Sequence, residues 1–201
     1  MSGAARDVAP TWRSLISSLD GRSAFVLTYA AVVLIATEYF FLPSVARRTS
    51  LPELFAGVGA RRDLADGLSW ATSTYVFFLA LPLIFALATR TPLRSIGWSA
   101  AGFGRHVIVY GALFLLMAPM VYAASRRPDF AALYPFVASA RGDAATFWIW
   151  EAAYLLQFLA LEAFFRGYLL FSLERRFGAT AVPIMVVPYA MIHFHKPFAE
   201  C

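Results

Sequence analysis

Apolar residues run along this chain in long stretches, broken by short clusters of arginine, proline and small polar residues. The first stretch covers 23–46, with Glu38 as its one charge. At 1.5 Å per residue its roughly 24 residues reach about 36 Å, enough for a hydrocarbon core of about 30 Å. Further apolar runs fall at 67–89, 107–124 and 144–173, and a shorter one with two prolines at 179–194. The pattern predicts an all-α, polytopic membrane helix bundle with about five transmembrane helices. A polar N-terminal segment over 1–22, with Trp12 at an interface, precedes a single membrane-embedded domain over 23–201. Between the spans the pattern predicts a short amphipathic piece over 51–60 and a connector over 92–105 lying at the interface, where Arg94 and Arg105 accompany Ile96 and Trp98.

Composition supports that division. The 201 residues are 60% hydrophobic and only 14% charged, whereas soluble domains carry about 25% charge. The formal charge is +5, and 16 of the 17 basic residues are arginines. They cluster in the short loops, as expected of residues flanking a membrane. Nucleic-acid binding is excluded as a reading, because no soluble basic face with interleaved aromatics exists. Orientation is not decided by charge. Eight basic residues fall on the N-terminal side of a five-span arrangement and seven on the other (Arg47, Arg48, Arg61, Arg62, Arg126, Arg127, Arg141). The single cysteine, Cys201, excludes an intramolecular disulfide framework and a multi-cysteine zinc site. With no residues after it, it is not a C-a-a-X prenylation signal, and the ending reads as an interrupted chain.

Candidate chemistry lies in 144–201. Glu162 and Arg166 are four residues apart and share a helix face. Glu151, eleven residues before Glu162, falls on nearly the same face. Ionisable groups at bilayer depth cost about 2.5–3.5 kcal/mol each on insertion scales, so such a stripe should face protein or a water-filled cavity. Two readings follow: a buried ion pair that locks helices together, or part of a reactive site. On the next apolar run, Tyr189 and His193 are again four apart. A histidine near a carboxylate can polarise water for hydrolysis, which favours the second reading. His195 and Lys196 lie just beyond and reach toward headgroups, with His195 a candidate supporting residue. His106 is read as interfacial. Zinc is chemically compatible with glutamate and histidine ligands, but no His-Glu-x-x-His pattern occurs, so a reaction without a cofactor is favoured.

The ordered pair Glu162-x-x-x-Arg166-Gly167 and Tyr189-x-x-x-His193, with 27 residues from Arg166 to His193, resembles the CAAX-protease and bacteriocin-processing family of intramembrane endopeptidases. The resemblance covers about 155–195, and earlier only the multi-span layout and the Trp98-containing connector are similar. It implies hydrolysis of a peptide bond in a membrane-associated or lipidated substrate, with Glu162, Arg166 and His193 catalytic and Tyr189, His195 and Glu151 supporting. It further implies a multi-pass protein of the bacterial inner membrane that contacts lipid and a peptide or protein substrate and needs no metal. Oligomeric state is not implied. The chain departs from the family pattern at Leu161, where a first glutamate usually activates water, and in having no later helix with a third motif. Leu161 therefore motivates an alternative, a non-catalytic membrane scaffold or immunity protein of the same fold. A proton-coupled transporter using Glu38, Glu151 and Glu162 is a further alternative, without the paired interrupted helices such proteins show.

Overall fold

The computed structural model describes residues 20–45, 48–99, 101–194 and 196–197. The N-terminal segment before residue 20, Trp12 within it, His195 and Cys201 lie outside these. The described residues are helical and contain no β-strand, so the chain is an all-α bundle. Among the described residues four helical stretches are long and apolar enough to cross a membrane: Gly21–Phe41, Arg62–Ala88, Phe103–Ser125 and Ala144–Met191.

The first begins where Asp20 caps α1 (Gly21–Ala36), its carboxylate accepting from the backbone N–H groups of Arg22 and Ser23. It passes into a wider π turn, Thr37–Phe41, and stops at Leu42, whose extended backbone (ψ 146°) is what a following proline, Pro43, favours. The short α2 (Leu51–Gly57) matches the predicted amphipathic piece. The second span joins α3 (Arg62–Thr74), a π turn at Tyr75–Ala80 and α4 (Leu81–Ala88). Pro82 near the start of α4 has no N–H to offer the preceding turn, a sufficient cause for the disturbed helix just before it. The third span is α5 (Phe103–Ser125), none of whose residues is buried. After the short α6 (Pro128–Leu133) comes α7 (Ala144–Glu162), then a π turn over Ala163–Leu169 and α8 (Leu170–Phe177).

The fourth stretch differs most from the sequence expectation. Its 48 residues would reach about 72 Å as one rod, more than twice a bilayer core. Gly178 (φ 53°, ψ −137°) breaks the rod, a backbone geometry that glycine adopts at least cost. The returning α9 (Ala181–Met191) packs against α8 and the π turn. The runs predicted at 144–173 and 179–194 are thus two arms of one hairpin, and α9, with 11 residues, is too short to cross alone.

The main core is built around the Ala163–Leu169 π turn. Phe164, Phe165 and Leu169 are fully buried there, against Val26, Ala30 and Val33 of α1 and Phe78 of the second span. Lipid tails are as apolar as leucine, so within a bilayer close packing rather than water exclusion holds such helices together. Phe78 meets Phe164 edge-on at 5.1 Å and Phe41 meets Phe77 at 5.4 Å, so residues of all three π turns come into this packing. In the connector Leu93, Arg94 and Trp98 are exposed, but its 3-10 turn, Leu93–Ile96, tucks Ile96 into the core, and Gly97 (φ 88°) comes against the backbone of Gly167. A second aromatic cluster around Trp150, Trp70 and Tyr154 ties α3 to α7. There Asp63 accepts from the backbone N–H and hydroxyl of Ser139 at 2.7 and 2.9 Å.

Asp143 caps α7 by accepting from the Thr146 hydroxyl and from the N–H groups of Thr146 and Ala145. The Thr146 hydroxyl first, then these N–H groups, hold its carboxyl below the usual carboxylate range. A depressed folded-state pKa stabilises the protein above the unfolded value of about 3.9 and is lost as pH falls through the folded value. Asp143→Ala is therefore expected to lower the thermal midpoint by a few degrees at pH 7, with the gap from wild type closing below pH 4. A gap of constant size across that range would show that the cap carries no ionic contribution.

Candidate functional site

Glu162 ends α7 and Arg166 lies in the π turn that follows. Their side chains form an ion pair, Arg166 Nη1 to Glu162 Oε2 at 3.0 Å. The returning α9 brings Tyr189, whose hydroxyl donates to the other carboxylate oxygen, Glu162 Oε1, at 3.1 Å. The Arg166 guanidinium also sits 5.7 Å from the centre of the Tyr189 ring, within cation–π range. Phe165 meets the same ring edge-on at 5.1 Å. Tyr189 is thus held by a charge, a carboxylate and an aromatic edge. One turn later, His193 Nδ1 lies 3.3 Å from the Tyr189 carbonyl oxygen. A carbonyl only accepts, so this contact selects the Nδ1–H form and leaves Nε2 as the basic nitrogen of a neutral ring.

Of the two readings of the ion pair, a buried lock between helices is not what forms. The Arg166 and Glu162 side chains remain 56% and 38% exposed, so the pair sits at the rim of the bundle. Glu151 shares that open side of α7: it is exposed and does not line the cavity described below. His195 lies outside the described residues, and no contact of Glu151 supports a role in the site.

Beside this cluster is a cavity of about 360 Å³, between α1 and its π turn, the second span, α7 and the end of α9. His193, Tyr189, Glu38, Thr37, Gln157 and Leu161 are on its wall, whereas Glu162 and Arg166 are not. Successive residues of a helix point about 100° apart, and here Leu161 takes the direction into the cavity while Glu162 turns toward Arg166 and Tyr189. Among the described residues there is no group of three or more His, Cys, Asp or Glu side chains able to hold a metal ion.

Sequence reasoning passed over Gln157, Thr37 and Thr74. Gln157 is 2% exposed and donates from Nε2 to Thr74 Oγ1 at 3.3 Å. A signal was present: it is the single carboxamide side chain among the 201 residues, which contain no asparagine, and it sits inside an apolar run. It shares a helical face with Tyr154 and Leu161, which also line the cavity.

Set against known protein-family models, curated proteins and solved structures, the chain matches none. The fold and this cluster define a class by themselves: an all-α bundle with four membrane-length apolar helices among the described residues, whose Glu–Arg–Tyr cluster adjoins a cavity that holds a histidine.

Proposed function

We propose that the protein is a multi-pass bacterial inner-membrane endopeptidase that hydrolyses a peptide bond in a membrane-associated or lipidated substrate, in the manner of the CAAX-protease family that its motifs resemble. The observation that carries the reading is the linkage through Tyr189. Its hydroxyl binds Glu162 and its carbonyl accepts from His193, on the wall of a cavity large enough for a ligand. In this scheme His193 Nε2 takes a proton from water as the oxygen adds to the scissile carbonyl carbon. The proton then passes to the leaving amine as the C–N bond breaks. Glu162, oriented by Arg166 and Tyr189, supplies negative charge on the far side of Tyr189 while His193 is an imidazolium.

The test uses the full chain in lipid nanodiscs with a library of membrane-tethered peptides, and mass spectrometry to find a cut product. A single defined cleavage site is the expected result, and no product from any member would defeat the reading. Cleavage is further expected to persist in chelator at an unchanged rate; a loss restored by zinc would overturn the metal-free scheme.

A second reading, a non-catalytic membrane scaffold or immunity protein, draws on one observation. Leu161, not a carboxylate, is the residue of that helix turn that faces the cavity. It predicts no product in the same assay.

A further inference from the structure

We infer that Gln157 is the acceptor that docks an extended polypeptide backbone in the cavity, its Oε1 receiving a backbone N–H of the bound segment. This deepens the proteolytic reading and rests on it for the choice of a peptide as occupant.

The orientation of the Gln157 amide follows from its neighbours. The Thr74 hydroxyl donates to the Trp70 carbonyl at 3.0 Å, so its single proton is committed and Thr74 Oγ1 can only accept toward Gln157. The NH2 end of the amide must therefore face Thr74, at 3.3 Å. Its carbonyl oxygen is then left over, and Oε1 is buried without a hydrogen-bond partner among the described residues. Such an acceptor carries a desolvation cost until a donor reaches it. Gln157 lines the cavity, so a donor can arrive there with a ligand.

A second polar group on the wall completes the pattern. Thr37, the first residue of the Thr37–Phe41 π turn, also lines the cavity, and its Oγ1 is likewise buried and unpartnered. A carboxamide oxygen accepts only, whereas a hydroxyl can also donate. Together the two groups present an acceptor for an N–H and a donor for a C=O. Polypeptide backbone carries both in alternation. A water also donates and accepts, but it leaves the apolar remainder of the wall uncovered. The remaining wall includes Leu34, Ile35, Phe78, Phe158 and Leu161, which suits apolar side chains on the bound segment. His193 is on the same wall, so a backbone docked on Gln157 lies in the cavity that its imidazole borders.

The experiment measures binding rather than turnover. The full chain in nanodiscs is titrated with N-acetyl-Leu-Ala-Leu-amide and with esters of it, each replacing one backbone N–H by oxygen. For wild type, one ester is expected to bind about three- to tenfold more weakly than the amide, the range for loss of one hydrogen bond. In Gln157→Leu and Gln157→Met the amide is expected to weaken by a similar factor and the amide–ester difference to vanish. Thermal unfolding of each variant serves as a control for folding. Equal binding of the amide and all its esters by wild type overturns the assignment, as does a preference that survives in both variants. Absence of peptide binding also overturns it, leaving a resident water as the partner of Gln157. If neither variant folds, the ester series on wild type decides alone. Binding with the expected ester pattern but without cleavage of any library peptide defeats the proteolytic reading and leaves the docking site standing. Cleavage without the ester pattern does the reverse.

Discussion

Replacing His193 with alanine is expected to lower the cleavage rate by at least about 10²-fold, the lower end of what a positioned general base contributes. Folded yield should be unchanged, because His193 is only partly buried and lies just past the end of α9. Glu162→Gln is expected to be as damaging for a different reason. Both carboxylate oxygens of Glu162 accept, one from Tyr189 and one from Arg166. A glutamine offers one acceptor and one donor, so its NH2 group must face either the tyrosine hydroxyl or the guanidinium. The Tyr189 hydroxyl can accept from that NH2 while the amide oxygen faces Arg166, so the contacts can persist, but the negative charge that the scheme requires is lost. Rates are read on the same membrane-tethered reporter, with wild type and variants at equal folded concentration. A His193→Ala enzyme that cuts at the wild-type rate removes His193 from the mechanism. A Glu162→Gln enzyme that does so reduces the Glu162–Arg166 pair to a structural contact.

The second large effect is on folding. A Cβ added to Gly167 would lie 2.9 Å from the Ile96 carbonyl oxygen, and one added to Gly97 would lie 2.9 Å from the Gly167 Cα. Both obstacles are backbone, which cannot swing aside as a side chain can. Gly167→Ala is expected to cost about 1–3 kcal/mol, the usual range for overpacking, and so to lower the thermal midpoint by roughly 2–12 °C for a chain of this length. Gly167→Val should cost more and reduce folded yield. At Gly97 an added side chain also meets the left-handed backbone, worth about another 1–2 kcal/mol. The control is Gly111→Ala on α5, where nothing lies within 4 Å of the new Cβ. That change should be neutral or stabilise by about 0.5–1 kcal/mol, because alanine is the better helix former. If Gly167→Ala is as benign as Gly111→Ala, the connector does not press on the π turn as described.

Several parts of this arrangement were legible in the sequence because they are local. Glu162 with Arg166, and Tyr189 with His193, are each four residues apart, and a helix makes such residues neighbours wherever it packs. The long apolar runs marked the helices for the same reason, since the length needed to cross a membrane is a property of the segment alone. The ends were less legible: α1 with its π turn stops at Phe41 rather than at residue 46, and the second span starts at Arg62 rather than at 67. There Pro43 ends one helix early, and the charges at Arg62, Asp63 and Asp66 hid the start of the other. The site was less legible where the answer depends on packing. The sequence left the ion pair open between a buried lock and part of a reactive site, because how deeply a helix face is covered depends on what packs over it.

The sequence by itself determined that this chain makes apolar helices of membrane length and that its polar pairs share helical faces. These properties arise from backbone geometry and side-chain spacing within one segment. Tertiary structure decided which of those faces meet. The break at Gly178 turns α9 back and brings Tyr189 onto Glu162, an encounter across 27 residues that no local rule predicts. It also decided that Leu161, rather than Glu162, looks into the cavity, and that Gln157 is left there with an unused acceptor. Those outcomes depend on where other helices stand, because burial and hydrogen-bond satisfaction belong to the assembled bundle rather than to any one of its helices.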